Sequence, residues 1–487
     1  MEFQSLLIVQ LIQKIQMSNK FFFAVLFIIL SFSMKAQVQD SISFEVDSVA
    51  INKTIIIPEN TVQNSNGITN FLTKLSNLQK TKIGKINIVH IGDSHIQADL
   101  MTDKTRKLFQ ANFGNAGRGF VFPHSLAHTN GSWDIRFSSK TNWDSYRNIY
   151  PVTQYKVGLS GIALVTKSKE FNMELSTNEE GNFFKTIKLI TPNNISNFDI
   201  SILENKIYKE IRIPKIITHL VKRKESILEI AAVFHISVLE LKRANRLKSN
   251  KIRKGKVLKI PTNETISKTI ETSEMVPLQL LADTNCHYYT FETSQNKIDI
   301  FSTKIESEFN LNGIVLENGN SGVLYHNIGV NGAKFSDYNK YALFFEQLKA
   351  LNPDLIIISL GTNESFGSIK TEEFMAQLDS FLKNIKVQIP TTEFLISTPP
   401  PSLFKQKFEN IFVADYASKI INYGVENNYT VWDLYAQFGG LFGVEQNYNN
   451  GLMAKDKVHY SKKGYEQQGE MLYRAIAKSL ENFQTKK

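Results

Sequence analysis

The sequence predicts an α/β protein built on a doubly wound, five-stranded parallel sheet. A β-sandwich-like insertion interrupts the sheet and carries a small strand–helix–helix–strand (βααβ) module. Three observations predict this. Short apolar, β-branched runs at Ile86–Ile91, Tyr325–Val330, Asp354–Leu360, Phe394–Ser397 and Tyr429–Asp433 alternate with stretches of helical period. Between residues 126 and 322 that rhythm gives way to brief β-type segments broken by Gly, Asn and Pro. Within that region, 217–262 returns to helical spacing with its own capping serines. A chain of 487 residues is long enough for about three such units.

The chain opens on a targeting pattern. Lys20 precedes the apolar run Phe21–Leu30, and small or polar residues lead to Ala36-Gln37. Ten apolar residues are too few to span a bilayer comfortably but suit the core of a signal peptide. Residues 1–36 are therefore read as a signal peptide, with Met17 as an alternative start and an uncleaved membrane anchor as the alternative reading, and 37–66 as a polar linker. No cysteine follows closely after the apolar run, which excludes bacterial lipidation. The expected location is the periplasm, the cell surface or the medium, with no membrane attachment after cleavage.

Residues 67–125 begin the α/β unit. Ile68, Phe71, Leu72, Leu75 and Leu78 keep a helical period, and Gly84 separates that helix from the first strand. The strand breaks at Gly92-Asp93-Ser94, and Ile96, Ala98, Leu100 and Met101 resume helical spacing. Strand, tight turn and helix in that order present the turn at the carboxyl edge of a parallel sheet, where open α/β sheets keep their sites. Ser94 lies close to a helix N-terminus, whose free N–H groups favour developing negative charge. It is a candidate nucleophile, or alternatively an N-cap. Asn115–Gly119 is a glycine-rich turn with no P-loop lysine, and Arg118 within it is a candidate for the rim of a pocket.

The insertion, 126–322, reads as short strands at Trp133–Phe137, Gly161–Val165, Phe171–Leu175, Phe184–Ile190, Phe198–Leu203, Tyr288–Phe291, Ile298–Phe301 and Ile314–Leu316. Inside it, strand Thr218–Val221 leads to a helix capped by Ser226. A second helix is capped by Ser237, and strand Lys256–Ile260 closes at Pro261. The order of elements, with Ile236–Asn245 and Ile252–Pro261, resembles a LysM module over 217–262. The resemblance implies binding of N-acetylglucosamine-containing glycan, with Glu225, Ser226, Leu247 and Lys248 at the glycan-contacting positions. Lys224 stands where the family usually has glycine. Residues 215–260 hold thirteen Lys and Arg against three Glu, a balance of +10 that equals the formal charge of the whole chain. The basicity is thus one local patch, either a field that holds an anionic wall surface or simply a solvated face.

The α/β rhythm resumes over 323–487. A serine nucleophile needs a base, a group to orient that base, and donors for an oxyanion. Three later stretches offer them: Asn327–Gly332, Gly361-Thr362-Asn363, and Asp456-x-x-His459 near the C-terminus. An acid three residues before a histidine can reach its Nδ1 on a turn and fix the tautomer. Gly92-Asp93-Ser94, Gly332, Gly361-Thr362-Asn363 and Asp456-x-x-His459, in that order, resemble the four blocks of the SGNH (GDSL-type) hydrolases, whose domain has a flavodoxin-like sheet. The first block is similar to that of the bacterial peptidoglycan O-acetylesterases. Glu364 stands where many members have Asp, and its side chain is expected to cap the helix that follows.

The resemblance implies that Ser94 is the nucleophile, His459 the general base and later acid, and Asp456 its orienting partner. Ser94, Gly332 and Asn363 would form the oxyanion hole. The expected activity is hydrolysis of O-acetyl or other small acyl esters on cell-wall glycan, with peptidoglycan as the expected polymer and another polysaccharide as the alternative. A wall-binding protein with a vestigial hydrolase fold is the non-catalytic alternative. No cofactor is expected, and no metal: there is a single cysteine, Cys286, and the nine histidines show no ligand spacing. Export, and the lack of aromatic residues interleaved with the basic patch, argue against a nucleic-acid partner.

Overall fold

The computed structural model describes residues 55 and 57–486, apart from 179–181, 194–196, 248, 282–285 and 304–307. The expected signal peptide, most of the linker and Lys248 lie outside the described residues. Among the described residues no helix is long and apolar enough to cross a membrane.

The central sheet has the strand order Val62–Gln63, Thr430–Trp432, Glu393–Ser397, Leu355–Ser359, Lys85–Gly92, Gly322–Gly329. The last five pair in parallel, as the alternating pattern predicts. The first is an addition: Val62 and Gln63 pair antiparallel with Trp432 and Val431. Asn60 also accepts the Trp432 indole N–H at 3.0 Å. The linker expected over 37–66 therefore runs too far, because its end belongs to the sheet.

Both faces of the sheet are covered, and the strands alternate accordingly. Ile86, Ile88, Leu355, Ile357, Leu395 and Trp432 enter one core with Leu75, Phe109, Leu472 and Ile476 of the helices. Val89, Ile91, Ile356, Ile358, Ile396 and Val431 face the other way, into a core that continues through Phe381 and Tyr416 to the insertion.

The insertion is built from antiparallel sheets. One runs Val257–Pro277, Phe198–Leu220, Lys297–Ser302, Asn172–Thr177, Ile135–Ser139; another runs Gln279–Leu281, Cys286–Gln295, Phe184–Ile190, Gly313–Glu317, Gly119–Val121. Leu175, Ile298 and Ile300 of the first share a core with Ile187, Leu189 and Ile314 of the second. A three-stranded sheet, Phe309–Leu311, Ile162–Thr166, Asp144–Arg147, completes the unit. Since Gly119–Val121 pairs with Gly313–Glu317, the β-rich unit begins before residue 126, where the sequence pattern sets its start.

Two expected short strands, Phe198–Leu203 and Thr218–Val221, are parts of one 23-residue strand, Phe198–Leu220. It pairs with Val257–Pro277 from Asp199↔Pro277 to Leu220↔Val257, making a long two-stranded ribbon. The LysM-like segment closes its end, with helices Ile227–Val233 and Val238–Ala244. Val221, Ile227, Ile230, Ala231, Leu241, Leu258 and Ile260 form a separate small core there.

Candidate active site

Ser94 is the first residue of a short helix, Ser94–Gln97, that follows the strand Lys85–Gly92 directly. The capping role falls to Asp93, whose Oδ1 accepts the His95 N–H at 2.9 Å. Its carbonyl accepts the N–H groups of Ile96 and Gln97. The serine is thereby free of capping duty. Its Oγ lies 3.0 Å from His459 Nε2, although 365 residues separate the two in sequence.

His459 and Asp456 sit on one tight turn. Asp456 Oδ2 is 2.7 Å from His459 Nδ1, and its Oδ1 accepts the N–H groups of Val458 and His459, both at 3.0 Å. Lys457 between them takes a left-handed φ of +53°. The turn is closed by Ala454, which donates to the His459 carbonyl and accepts from the Lys457 N–H. Partial burial pulls the Asp456 carboxyl up, but the bonds from His459 and the backbone outweigh it and hold the acid below its ordinary range. An ionised carboxylate on Nδ1 leaves Nε2 facing the serine as acceptor. The His459 and Asp456 side chains are 44% and 32% exposed, so a bulky molecule can reach them.

Behind this pair stands His95. Its ring centroid is 5.4 Å from that of His459, and its Nδ1 meets the Tyr465 hydroxyl at 2.9 Å. Burial pushes it down to about 3, so it stays neutral beside the catalytic candidate.

Gly332 lies in an exposed turn next to the strand Gly322–Gly329, with φ +85°. Asn363 is in the short helix Thr362–Phe366 after the strand Leu355–Ser359. Its Nδ2 donates to Asp93 Oδ2 at 3.1 Å and to the Ala333 carbonyl at 3.0 Å. The amide therefore ties the serine turn to the glycine turn, and both its N–H groups already have acceptors. Burial pushes Asp93 up to about 7.

Glu364 does not cap the helix that follows it. It is buried, and its Oε1 accepts the N–H of Phe335, the first residue of the helix Phe335–Asn339. Burial raises its carboxyl to about 8, and Asp93 nearby adds to the rise. Nor does Arg118 rim a pocket. It is 2% exposed and pairs with Asp99 and, through Nε at 2.5 Å, with Asp134. Asp99 also accepts from Arg106 Nη2 at 2.8 Å. This buried network joins the helix Leu100–Phe113 to the first loop of the insertion. No spacing in the sequence announces it, because its members come from separate segments.

In the βααβ module, Glu225 Oε2 accepts the Lys222 N–H at 2.6 Å and meets His219 Nε2 at 2.9 Å. Ser226 forms a capping box with Glu229. Both side chains, expected to contact glycan, make local bonds that shape the module. Leu247 is half-buried against the small core.

A family model described as GDSL-like lipase/acylhydrolase matches residues 313–467, and a LysM domain model matches 219–261. The chain therefore carries a GDSL-like lipase/acylhydrolase domain and a LysM domain. A solved peptidoglycan O-acetylesterase is similar in fold: 20% identity, TM-score 0.56, covering 88% of this chain and 99% of that one. A lipase/acylhydrolase from Enterococcus faecalis is 22% identical over 32% of this chain and 76% of its own, at a TM-score of 0.26. A putative lipolytic protein of the G-D-S-L family from Desulfitobacterium hafniense is 20% identical over 31% and 81%, at 0.27. No curated protein matches the chain. The hydrolase model begins at residue 313, in the last strand of the insertion, so its match excludes Ser94; folding of the sheet brings that residue back to His459.

Proposed function

We propose that this chain is an exported serine esterase of the SGNH type that removes O-acetyl or similarly small acyl groups from cell-wall glycan, with peptidoglycan as the first choice of polymer. The observation that carries the reading is the bonded relay from Ser94 Oγ through His459 to Asp456. His459 Nε2 takes the hydroxyl proton as Oγ attacks the ester carbonyl, and the Asp456 carboxylate stabilises the imidazolium. The tetrahedral oxyanion receives the backbone N–H groups of Ser94 and Gly332. Asn363 contributes once one N–H exchanges its present acceptor for the oxyanion. Collapse expels the sugar alkoxide, which His459 protonates, and leaves acyl-Ser94. Water, deprotonated by the same imidazole, then releases the carboxylic acid and restores the serine.

The LysM module supports the choice of polymer, since a domain of that family gives the enzyme a tether to glycan and raises its effective concentration there. The partner is accordingly an N-acetylglucosamine-containing glycan. The test is acetate release by the purified chain from O-acetylated peptidoglycan, with acetylated xylan in parallel and Ser94→Ala as control. Release from the first that depends on Ser94 is expected. Turnover of xylan alone would move the substrate elsewhere, and no serine-dependent release from any ester would end the esterase reading.

A further inference from the structure

We propose that the β-rich insertion holds the oxyanion turn of the hydrolase in place, through a clasp made by Gln97, Asn130 and Asn331. The proposal rests on the esterase reading of Ser94 and adds positioning residues to it. Gln97 closes the short helix that Ser94 opens, and it is 1% exposed. Its Oε1 accepts the backbone N–H of Asn331 at 2.6 Å. Its Nε2 lies 2.6 Å from the Asn130 carbonyl, 2.9 Å from Thr129 Oγ1 and 3.1 Å from Asn130 Oδ1. Asn331 reaches the same loop itself, donating from Nδ2 to Asn130 Oδ1 at 2.6 Å and to Thr129 Oγ1 at 3.3 Å. Gln97, Asn130 and Asn331 thus bond one another in a closed set, Asn331 meeting Gln97 through its backbone N–H and Asn130 through its side chain.

Gly332, the next residue, needs such help. It is exposed, its φ is +85°, and a Cβ built on it would find only Ile149 Cδ1, at 3.7 Å. Side-chain packing therefore does little to fix the direction of its N–H. The turn is tied on its far side by Ala333, which donates to the Val330 carbonyl and accepts from Asn363. The clasp ties the near side. A backbone donor stabilises an oxyanion only if it points there before the charge develops.

Thr129 and Asn130 belong to the segment between Gly119–Val121 and Ile135–Ser139, both strands of the insertion's sheets. That segment is itself anchored: Thr129 N–H bonds the His124 carbonyl at 3.0 Å, and Asp134 is buried against Arg118. The insertion thereby reaches the chemistry through hydrogen bonds to one turn.

The experiment compares Asn130→Ala, Asn130→Asp and Gln97→Met with the wild-type full chain. The probes are 4-nitrophenyl acetate and a fluorophosphonate that reacts with activated serines. Asn130→Ala is expected to lower kcat and the rate of phosphonylation by roughly tenfold to a hundredfold, with KM within about twofold. The position of the pH profile should not move, because the His459–Asp456 pair is untouched. Asn130→Asp keeps the Oδ acceptor and should recover most of the rate. Wild-type kcat in Asn130→Ala would overturn the clasp, as would a loss that follows melting temperature and is not restored by Asn130→Asp. Gln97→Met, which keeps the side chain's bulk but removes both the Oε1 acceptor and the Nε2 donor, is expected to lose at least as much rate. A wild-type chain inert toward both probes would sink the esterase reading and the clasp together, whereas an active wild type with unaffected variants sinks the clasp alone.

Discussion

The hydrolase site and the LysM module hold their polar groups in opposite ways. In the module the bonds are local: Ser226 with Glu229, Ser237 with Glu240, Glu225 with Lys222. In the hydrolase they span the chain: Ser94 with His459, Asn363 with Asp93, Asn331 with Gln97. Local bonds form as soon as a turn forms and depend little on the rest of the molecule. The long-range set exists only when the sheet, the insertion and the final helix are all in place. Damage to the module should therefore stay in the module, while damage to the junction of hydrolase and insertion should reach the chemistry.

The sharpest separation comes from Ser94→Ala. It removes the proposed nucleophile without disturbing Asp93, which does the capping, so the fold and the module are left alone. A loss of roughly 10⁴–10⁶ in kcat is expected, with an unchanged melting temperature and unchanged sedimentation with insoluble peptidoglycan. Weaker sedimentation would show that the active-site cleft, not the LysM module, does the holding.

Arg118→Ala attacks the junction instead. It leaves Asp99 and Asp134, both nearly fully buried, short of a cation. Breaking such a network typically costs about 3–5 kcal/mol, read as a fall in the denaturant midpoint. Burial alone would raise the Asp99 carboxyl, yet Arg106 and Arg118 hold it well below its ordinary range. Its contribution is then present above the unfolded value and lost as pH falls through the depressed one, so the wild type should lose stability at strongly acid pH. A variant with wild-type stability would show that the two units are held by apolar packing alone.

The same contrast decides what was legible in the sequence. The five parallel strands announced themselves as uninterrupted apolar runs, and the module through its capping serines, because both signals are local. The positions of Ser94, Asp456 and His459 were legible from ordered blocks, and their meeting is a consequence of the sheet. What escaped was non-local. Val62–Gln63 is too short to carry a pattern, and its pairing with Thr430–Trp432 spans most of the chain. The long ribbon reads in the sequence as separate strands, although Ile207, Ile211 and Ile213 keep an even spacing across the gap. Arg118 looked like a rim residue because nothing near it in sequence neutralises it. Gln97 and Asn130 carry no signature, since amides acquire a role only from their neighbours in space.

Glu364 offers a subtler test of the hydrolase half. Its carboxyl is raised from about 4.5 to about 8, first by burial. A raised acid binds its proton more tightly in the folded state. The stability it confers is full below the unfolded value and is lost as pH rises through the folded one. Glu364→Gln abolishes this titration. The two chains should melt together near pH 4 and diverge toward pH 9, where the variant should be more stable by on the order of a few kcal/mol. Asp93, also raised, titrates in both chains and does not create the difference. Parallel curves across that range would mean that Glu364 stays ionised.

The smallest expected effect lies in the module and tests its independence. Lys224 takes φ +71°, the left-handed region, at the position where LysM modules usually have glycine. A non-glycine residue there costs roughly 1–2 kcal/mol, and its Cβ has no compensating role in the small core. Lys224→Gly relieves the strain but loosens the unfolded chain, which offsets part of the gain. A net stabilisation of about 1 kcal/mol is expected, seen as slower amide exchange in Ile227–Val233 and Val238–Ala244. Exchange in the strand Lys85–Gly92 and turnover of a small ester should not change. If exchange slowed equally in that strand, the module and the hydrolase would unfold as one unit, and the division between local and long-range support would not hold.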